Sequence, residues 1–166
     1  RFVSSKEEIP ALSILLLIIK KKCRFDFQDI QIPFSECLKS ASDEIVLCSL
    51  KILYVYLNNN PNQIFLVSEF NLIELLSSEN LNISSLAAAN ILTLLNISAN
   101  SFDIDKNQSI FLNYLQKHLN PQNVNYNKKY SLIALKFGGF VISDVNTIML
   151  CEENHIFDLI GQYLDV

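Results

Sequence analysis

The apolar residues of this chain recur at the three- and four-residue spacing of helical faces. The clearest case is the segment 83–97, in which apolar side chains and Asn90 return every third or fourth position. Three alanines in the middle of this segment would let a neighbouring helix approach closely. Further segments of the same kind, separated by breaks rich in Pro, Asn or Ser, predict helices over 7–22, 33–40, 42–57, 62–76, 108–119, 128–142 and 146–164.

Two of these predicted helices carry nearly the same sequence. The segment 62–76 reads NQIFLVSEFNLIELL, and the segment 146–160 reads NTIMLCEENHIFDLI. Aligned without a gap they share Asn, Ile, Leu, Glu and Leu, at an offset of 146 − 62 = 84 residues, or two steps of 42. The long helices repeat as well. Their small residues align Cys48 or Ser49 with Ala88, and Ala88 with Ser131, in steps of about 40 and 43.

Periods of this length are typical of paired-helix solenoids, in which each unit buries its apolar face only against its neighbours. The sequence therefore predicts an all-α, right-handed α-solenoid of about four repeats. The approximate repeats are 1–41, 42–78, 79–120 and 121–166, and they form a single domain.

Composition agrees with this class. A chain of 166 residues is long enough for one domain with a core and too short for two ordinary ones. Half of the residues are apolar, 18% are charged, and only 3 Gly and 4 Pro are present, which leaves little room for the turns of an all-β fold.

The charge pattern argues against nucleic acid and membrane partners. The formal net charge is −4, whereas nucleic acid or an anionic membrane would attract clustered Lys and Arg. The one basic cluster, 20–24, follows an apolar run at 12–19 that is shorter than the roughly 20 residues needed to span a bilayer. We interpret the cluster as cations at the C-terminal end of a helix.

The cysteines and the chain ends bear on cellular context. Cys23, Cys37, Cys48 and Cys151 lack a paired spacing, so we predict free thiols of an intracellular protein. The predicted compartment is the cytoplasm, with the nucleus and the cilium as alternatives. Because the chain opens on Arg1 and both ends are apolar, we expect a piece of a longer array, or an end that another chain covers.

The candidate chemistry is sparse. Cys151 and His155 are spaced to share a helical face, but no second pair of zinc ligands follows. Asp103 and Asp105 lack the Gly and Glu of a calcium loop, and no nucleotide-binding or nucleophile-elbow motif is present. We predict a protein that is not an enzyme and that has no catalytic residues, cofactor or bound metal.

The central segment resembles an armadillo repeat, of which the HEAT repeat is a near relative. The stretch NQIFLVSEFNLIELLSS is similar to the first armadillo helices with their serine-bearing turn, and SLAAANILTLLNIS at 85–98 is similar to the helix that ends in L-x-N-L-S. The resemblance covers about three repeats and a divergent first unit. It departs from the pattern in the short helix 108–119 and at the usual bend glycine, which is Phe70 or Asn71 in one repeat and Asn154 in another.

The resemblance implies a concave groove lined by the third helix of each repeat, in which Asn side chains of the L-x-N-L motif clamp an extended peptide. Asn96 fits this motif. The corresponding positions in the neighbouring repeats are Val55 or Tyr56 and Phe137 or Gly138, depending on the register. A plain hydrogen bond from Asn96 to a helix end is the alternative role.

The candidate groove residues are Asn96, Tyr54, Tyr56, Tyr130 and Lys136, and packing roles remain open for the tyrosines and the lysine. The predicted function is a non-catalytic scaffold or adaptor that binds a partner protein through the groove, as a peptide or a helix. Two alternatives remain: a structural subunit of a cytoskeletal or ciliary assembly, and a formin-like regulatory armadillo domain that binds a small GTPase or an autoinhibitory helix.

Overall fold

The computed structural model describes residues 5–21, 31–60, 71–97, 105–123, 127–142 and 145–163. All regular structure within these ranges is helical, which confirms the all-α class. A short 3-10 turn, Asp105–Asn107, precedes the sixth helix. The helices are α1 (Ser5–Lys20), α2 (Gln31–Leu38), α3 (Asp43–Asn59), α4 (Leu72–Leu76), α5 (Leu81–Ile97), α6 (Gln108–Leu119), α7 (Lys128–Val141), α8 (Val145–Glu153) and α9 (Ile156–Gly161).

Most of these bounds lie within two residues of the predicted ones. Most of the segment 62–76 lies outside the described residues, and α4 covers its last five positions. Lys20 occupies the last turn of α1, as expected for a cation at a helix C-terminus, and the rest of the basic cluster beyond Lys21 is not described. No helix in the described ranges has both the length and the apolar character needed to cross a bilayer.

The longer helices pack side by side in chain order. Helix α1 packs on α3, α3 on α5, and α5 on α7. The shorter helices form a second layer, in which α2 packs on α3, α4 on α5 and α6 on α7, while α6 also contacts α4 and α9. One continuous apolar core, which includes Leu50, Ile91, Leu115 and Phe137, lies between the two layers.

All eight buried residues of α3 have a buried counterpart in α5 that lies 38 residues later in the chain. Leu50, for example, corresponds to Ala88. A step of 42 residues also pairs every buried residue of α3 whose counterpart is described with a buried residue of α5, so the burial pattern brackets the step of about 40 predicted from Cys48 or Ser49. The predicted step was measured between one small residue in each helix. Because α5 contains several adjacent small residues, the sequence alone did not decide which of them aligns with α3.

The predicted step of 43 residues from α5 to α7 pairs buried positions with buried positions, and a step of 47 residues does the same. The buried residues Ser131, Ala134, Phe137 and Gly138 lie 43 positions after the buried residues Ala88, Ile91, Leu94 and Leu95. Asn90 also joins α5 to α3, because its amide nitrogen donates hydrogen bonds to the Leu50 carbonyl at 3.1 Å and to the Leu86 carbonyl at 2.8 Å.

The predicted single helix over 146–164 is wrong, because the chain bends between α8 and α9. His155 adopts a left-handed backbone conformation with φ of 57°, which a continuous helix excludes. The side-chain amide nitrogen of Asn154 donates a hydrogen bond to the Leu150 carbonyl at 2.7 Å and so provides a partner for this carbonyl near the end of α8. Helix α9 then begins at Ile156, which is 84 positions after Leu72, the first residue of α4, and both residues are fully buried.

Candidate functional site

An open groove of about 860 Å³ lies across the long helices α3, α5 and α7. The C-terminal third of α3 contributes Tyr54 and Asn58, and the C-terminal half of α5 contributes Leu92 and Asn96. One face of α7, from Lys129 to Phe140, completes the lining. The groove exists because the apolar faces of the three helices point into the core, which leaves the opposite faces side by side at the surface.

At two of the steps that match buried positions, corresponding residues of the three helices line this groove. The steps of 38 and 43 residues relate Asn58 to Asn96 and Asn96 to Gly139, and all three residues line the groove. The sequence placed the counterparts of Asn96 at Val55 or Tyr56 and at Phe137 or Gly138. The structure instead puts Tyr56 and Phe137 in the core.

Sequence reasoning therefore missed Asn58. The residue belongs to the run NNN at 58–60, which we interpreted only as the signal that ends the helix. In the structure Asn58 lies within the last turn of α3, and the helix continues to Asn59. The signal that could have found it is the 38-residue distance between two Asn residues near the ends of long helices.

The two Asn side chains differ in the groups that they offer. The Asn58 amide nitrogen donates to the Tyr54 carbonyl at 2.7 Å, so part of its hydrogen-bonding capacity is used within α3. Asn96 is exposed, and its side chain forms no hydrogen bond with another described residue. The alternative role of Asn96 as the partner of a helix end is thus not observed in the described part of the chain.

Three of the five predicted site residues lie in the groove. Tyr54, which is 41% exposed, Asn96 and Lys136 all line it. Tyr56 is only 3% exposed and packs in the core, because residues two positions apart on a helix point to nearly opposite sides. Tyr130 lies elsewhere: its hydroxyl donates a hydrogen bond to the Asn82 side chain, and its ring contacts His118.

The groove combines exposed apolar side chains with positive charge. Leu132, which is 54% exposed, and Phe140 project from α7 beside Lys129 and Lys136. Among the described residues that line the groove, none carries a carboxylate. Its local charge is therefore positive, although the chain as a whole has a net charge of −4.

A Ser–His pair lies in the core, away from the groove. The Ser84 hydroxyl and His118 Nε2 are 2.8 Å apart, and the Ser131 hydroxyl donates to the His118 carbonyl at 2.9 Å. Burial, with a smaller contribution from the charge of Lys117, lowers the pKa of His118 to about 4. Because Ser84 and His118 are at most 4% exposed, neither side chain can reach a substrate, and the pair joins α5 to α6.

The described thiols and suspected metal ligands do not cluster into a site. Cys151 is buried, while the exposed His155 places its Nδ1 3.1 Å from an Asp158 oxygen. Burial raises the pKa of the Cys37 and Cys151 thiols, which disfavours the nucleophilic thiolate. Within the ranges that the structure describes, no three side chains of the ligand-forming types cluster to hold a metal ion. Cys23 and Asp103 lie outside those ranges.

Comparison with known proteins adds no relative. The chain matches no protein-family model, no curated protein and no solved structure. A functional interpretation therefore has to start from the groove and its lining residues.

Proposed function

We propose that this chain is a non-catalytic scaffold of the armadillo type, an α-solenoid of about four repeats that binds a partner protein in the groove across α3, α5 and α7. The observation that carries the proposal is that three successive long helices, α3, α5 and α7, together line one open groove. The 84-residue interval between the starts of α4 and α9 supports the repeat architecture.

The groove suits a protein segment better than a small molecule. Its lining on α7 extends from Lys129 to Phe140, which corresponds to about 16 Å along the helix axis. It is open to solvent and presents aromatic and aliphatic side chains, including Tyr54, Leu132 and Phe140. In typical protein interfaces a few residues, among which Tyr is enriched, supply most of the binding energy.

A pair of matched substitutions tests the proposal. Leu132→Asp puts a charge into the groove, whereas Leu17→Asp makes the same change on α1, and the two leucines are 54% and 59% exposed. Partners captured from an extract of the source cells should be lost with Leu132→Asp and retained with Leu17→Asp. Both variants should keep the wild-type circular dichroism spectrum, because neither leucine is in the core. Capture that survives Leu132→Asp would refute the groove as the binding site.

One observation favours the second candidate, a structural subunit of a large assembly. Exposed apolar side chains also occur away from the groove, at Ile14 and Leu17 on α1 and at Val145 and Met149 on α8. Permanent interfaces are more apolar than transient ones. If this alternative holds, Leu17→Asp rather than Leu132→Asp will release the partners, and the wild-type complex will resist high salt.

A further inference from the structure

We propose, as a deepening that rests on the groove function above, that the occupant of the groove is an amphipathic helix with acidic residues along one edge. The groove places two lysines, Lys129 and Lys136, next to exposed apolar side chains, with no carboxylate among the described lining residues. A ligand with an apolar stripe and an adjacent row of carboxylates would match both features.

The charge contrast extends beyond the lining residues. Helix α5 has no charged residue, and α7 has three lysines, Lys128, Lys129 and Lys136, and no carboxylate. The carboxylates of α3 are Asp43 and Glu44 in its first turn. Glu44 precedes Tyr54 by ten residues, or about 15 Å along the helix axis. This separation exceeds the Debye length of about 8 Å at physiological salt, so these acids are screened from the Tyr54 end of the groove.

The polar groups of the groove favour a helix over an extended segment. An extended segment has unpaired backbone N–H and C=O groups that the groove must satisfy, whereas a helix satisfies its own. A row of amide side chains could form hydrogen bonds with these backbone groups, but the corresponding groove positions are Asn58, Asn96 and Gly139. The Asn58 amide already donates to Tyr54, and Gly139 has no side chain, so Asn96 alone offers a complete amide group.

The positions of the lysines predict the spacing of the acids in the ligand. Lys129 and Lys136 are seven residues apart on the same face of α7, which separates them by about 10 Å along its axis. A ligand helix that runs along α7 would match them with carboxylates at positions i and i+7. An extended ligand would need about three residues to cover the same distance.

A selection with random 16-residue displayed peptides tests this inference. Peptides are selected on the whole chain and counter-selected on Leu132→Asp, so that only groove-dependent binders remain. The expected binders carry Asp or Glu at i and i+7 beside an apolar stripe at helical spacing. Lys129→Glu and Lys136→Glu should each weaken their binding about three- to tenfold at low salt. The double variant should instead select peptides with Lys or Arg at these positions.

Lys39→Glu is the matched control, because Lys39 is exposed, lies outside the groove and undergoes the same change of charge. It should leave the affinity within about twofold.

Three results would overturn the inference, and each separates it from the proposed function. Groove-dependent binders without a preference for acids would refute the charge match and leave the groove function standing. Acids spaced three residues apart in non-helical binders would refute the helical ligand only. A selection that yields no groove-dependent binder would refute a helical occupant, and the capture experiment with Leu132→Asp would then decide the fate of the groove itself.

Discussion

The buried histidine should make the protein lose stability in mild acid. His118 has an ordinary pKa of 6.5 in the unfolded chain and a pKa lowered to about 4 in the fold, chiefly by burial. The groups that face it are the hydroxyls of Ser84 and Ser85 and the rings of Tyr114 and Tyr130, with the charge of neighbouring Lys117 acting in the same direction as burial. No described carboxylate is present in this set to stabilise the imidazolium.

The sign and size of the effect follow from proton linkage. Below pH 6.5 His118 binds a proton in the unfolded chain, whereas in the folded chain it binds one only near pH 4. The contribution of His118 to the free energy of unfolding is therefore fully present above pH 6.5 and is lost as the pH falls. The difference between the two pKa values corresponds to a loss of about 2 kcal/mol by pH 5 and about 3 kcal/mol by pH 4. Measurement at pH 7.5 and pH 5 keeps most carboxylates ionised and isolates this contribution.

Urea unfolding at these two pH values, followed by circular dichroism, measures the loss of stability directly. In His118→Gln the amide can still reach Ser84, and the fall between pH 7.5 and pH 5 should shrink to a few tenths of a kcal/mol. His155→Gln, which removes the exposed histidine, is the control and should retain the fall. If His118→Gln proves too unstable to study, a nuclear magnetic resonance titration of His118 in the wild type gives its pKa. A pKa above 6, or a wild-type stability that is equal at both pH values, would refute this reasoning.

Further predictions concern the packing of the long helices. Gly138→Ala and Gly139→Ala should each raise the free energy of unfolding by about 0.5–1 kcal/mol, because both glycines lie in a helix. A methyl group fits at Gly138, since its nearest neighbour would be Leu115 Cδ2 at 3.5 Å. A lack of stabilisation in thermal melts would contradict this. Asn90→Ala should cost about 1–3 kcal/mol in urea unfolding, because it removes the bond from α5 to α3, and a cost near zero would show that this bond does not matter. Ala88→Leu should overpack the core at the fully buried Ala88 and lower the free energy of unfolding by about 1–3 kcal/mol. The same change at the neighbouring half-exposed Ala89 should cost far less, and equal costs would refute the observed burial of the two alanines.

Helix positions were largely predictable from the sequence, because apolar periodicity reports which face of a segment is buried. The segment 83–97 became α5, Leu81–Ile97, and the segment 108–119 became α6 with the predicted bounds. The break at His155 was not predictable from periodicity, although the armadillo resemblance places a bend at the preceding residue, Asn154. A left-handed residue in a helical pattern leaves no mark on apolar spacing, and the chain uses no glycine there.

The groove was only partly predictable, for a different physical reason. Periodicity gives the face of each helix, but the register between helices depends on the loops and on which side chains interlock. The predicted register therefore put Tyr56, which is buried, in the groove and overlooked Asn58, whereas Tyr54 and Lys136 do line the groove. The positive charge of the groove was also missed, because a net charge of −4 says nothing about where the acids lie.

Amide hydrogen exchange of the whole chain, alone and with a captured partner or a groove-dependent peptide, tests the groove most directly. The proposal predicts slower exchange in the groove-lining parts of α5 and α7, at residues 89–97 and 129–140, with α1 unchanged. Slower exchange confined to α1 or to α8 would contradict a binding site in the groove and would favour an interface built from the exposed apolar side chains of those helices.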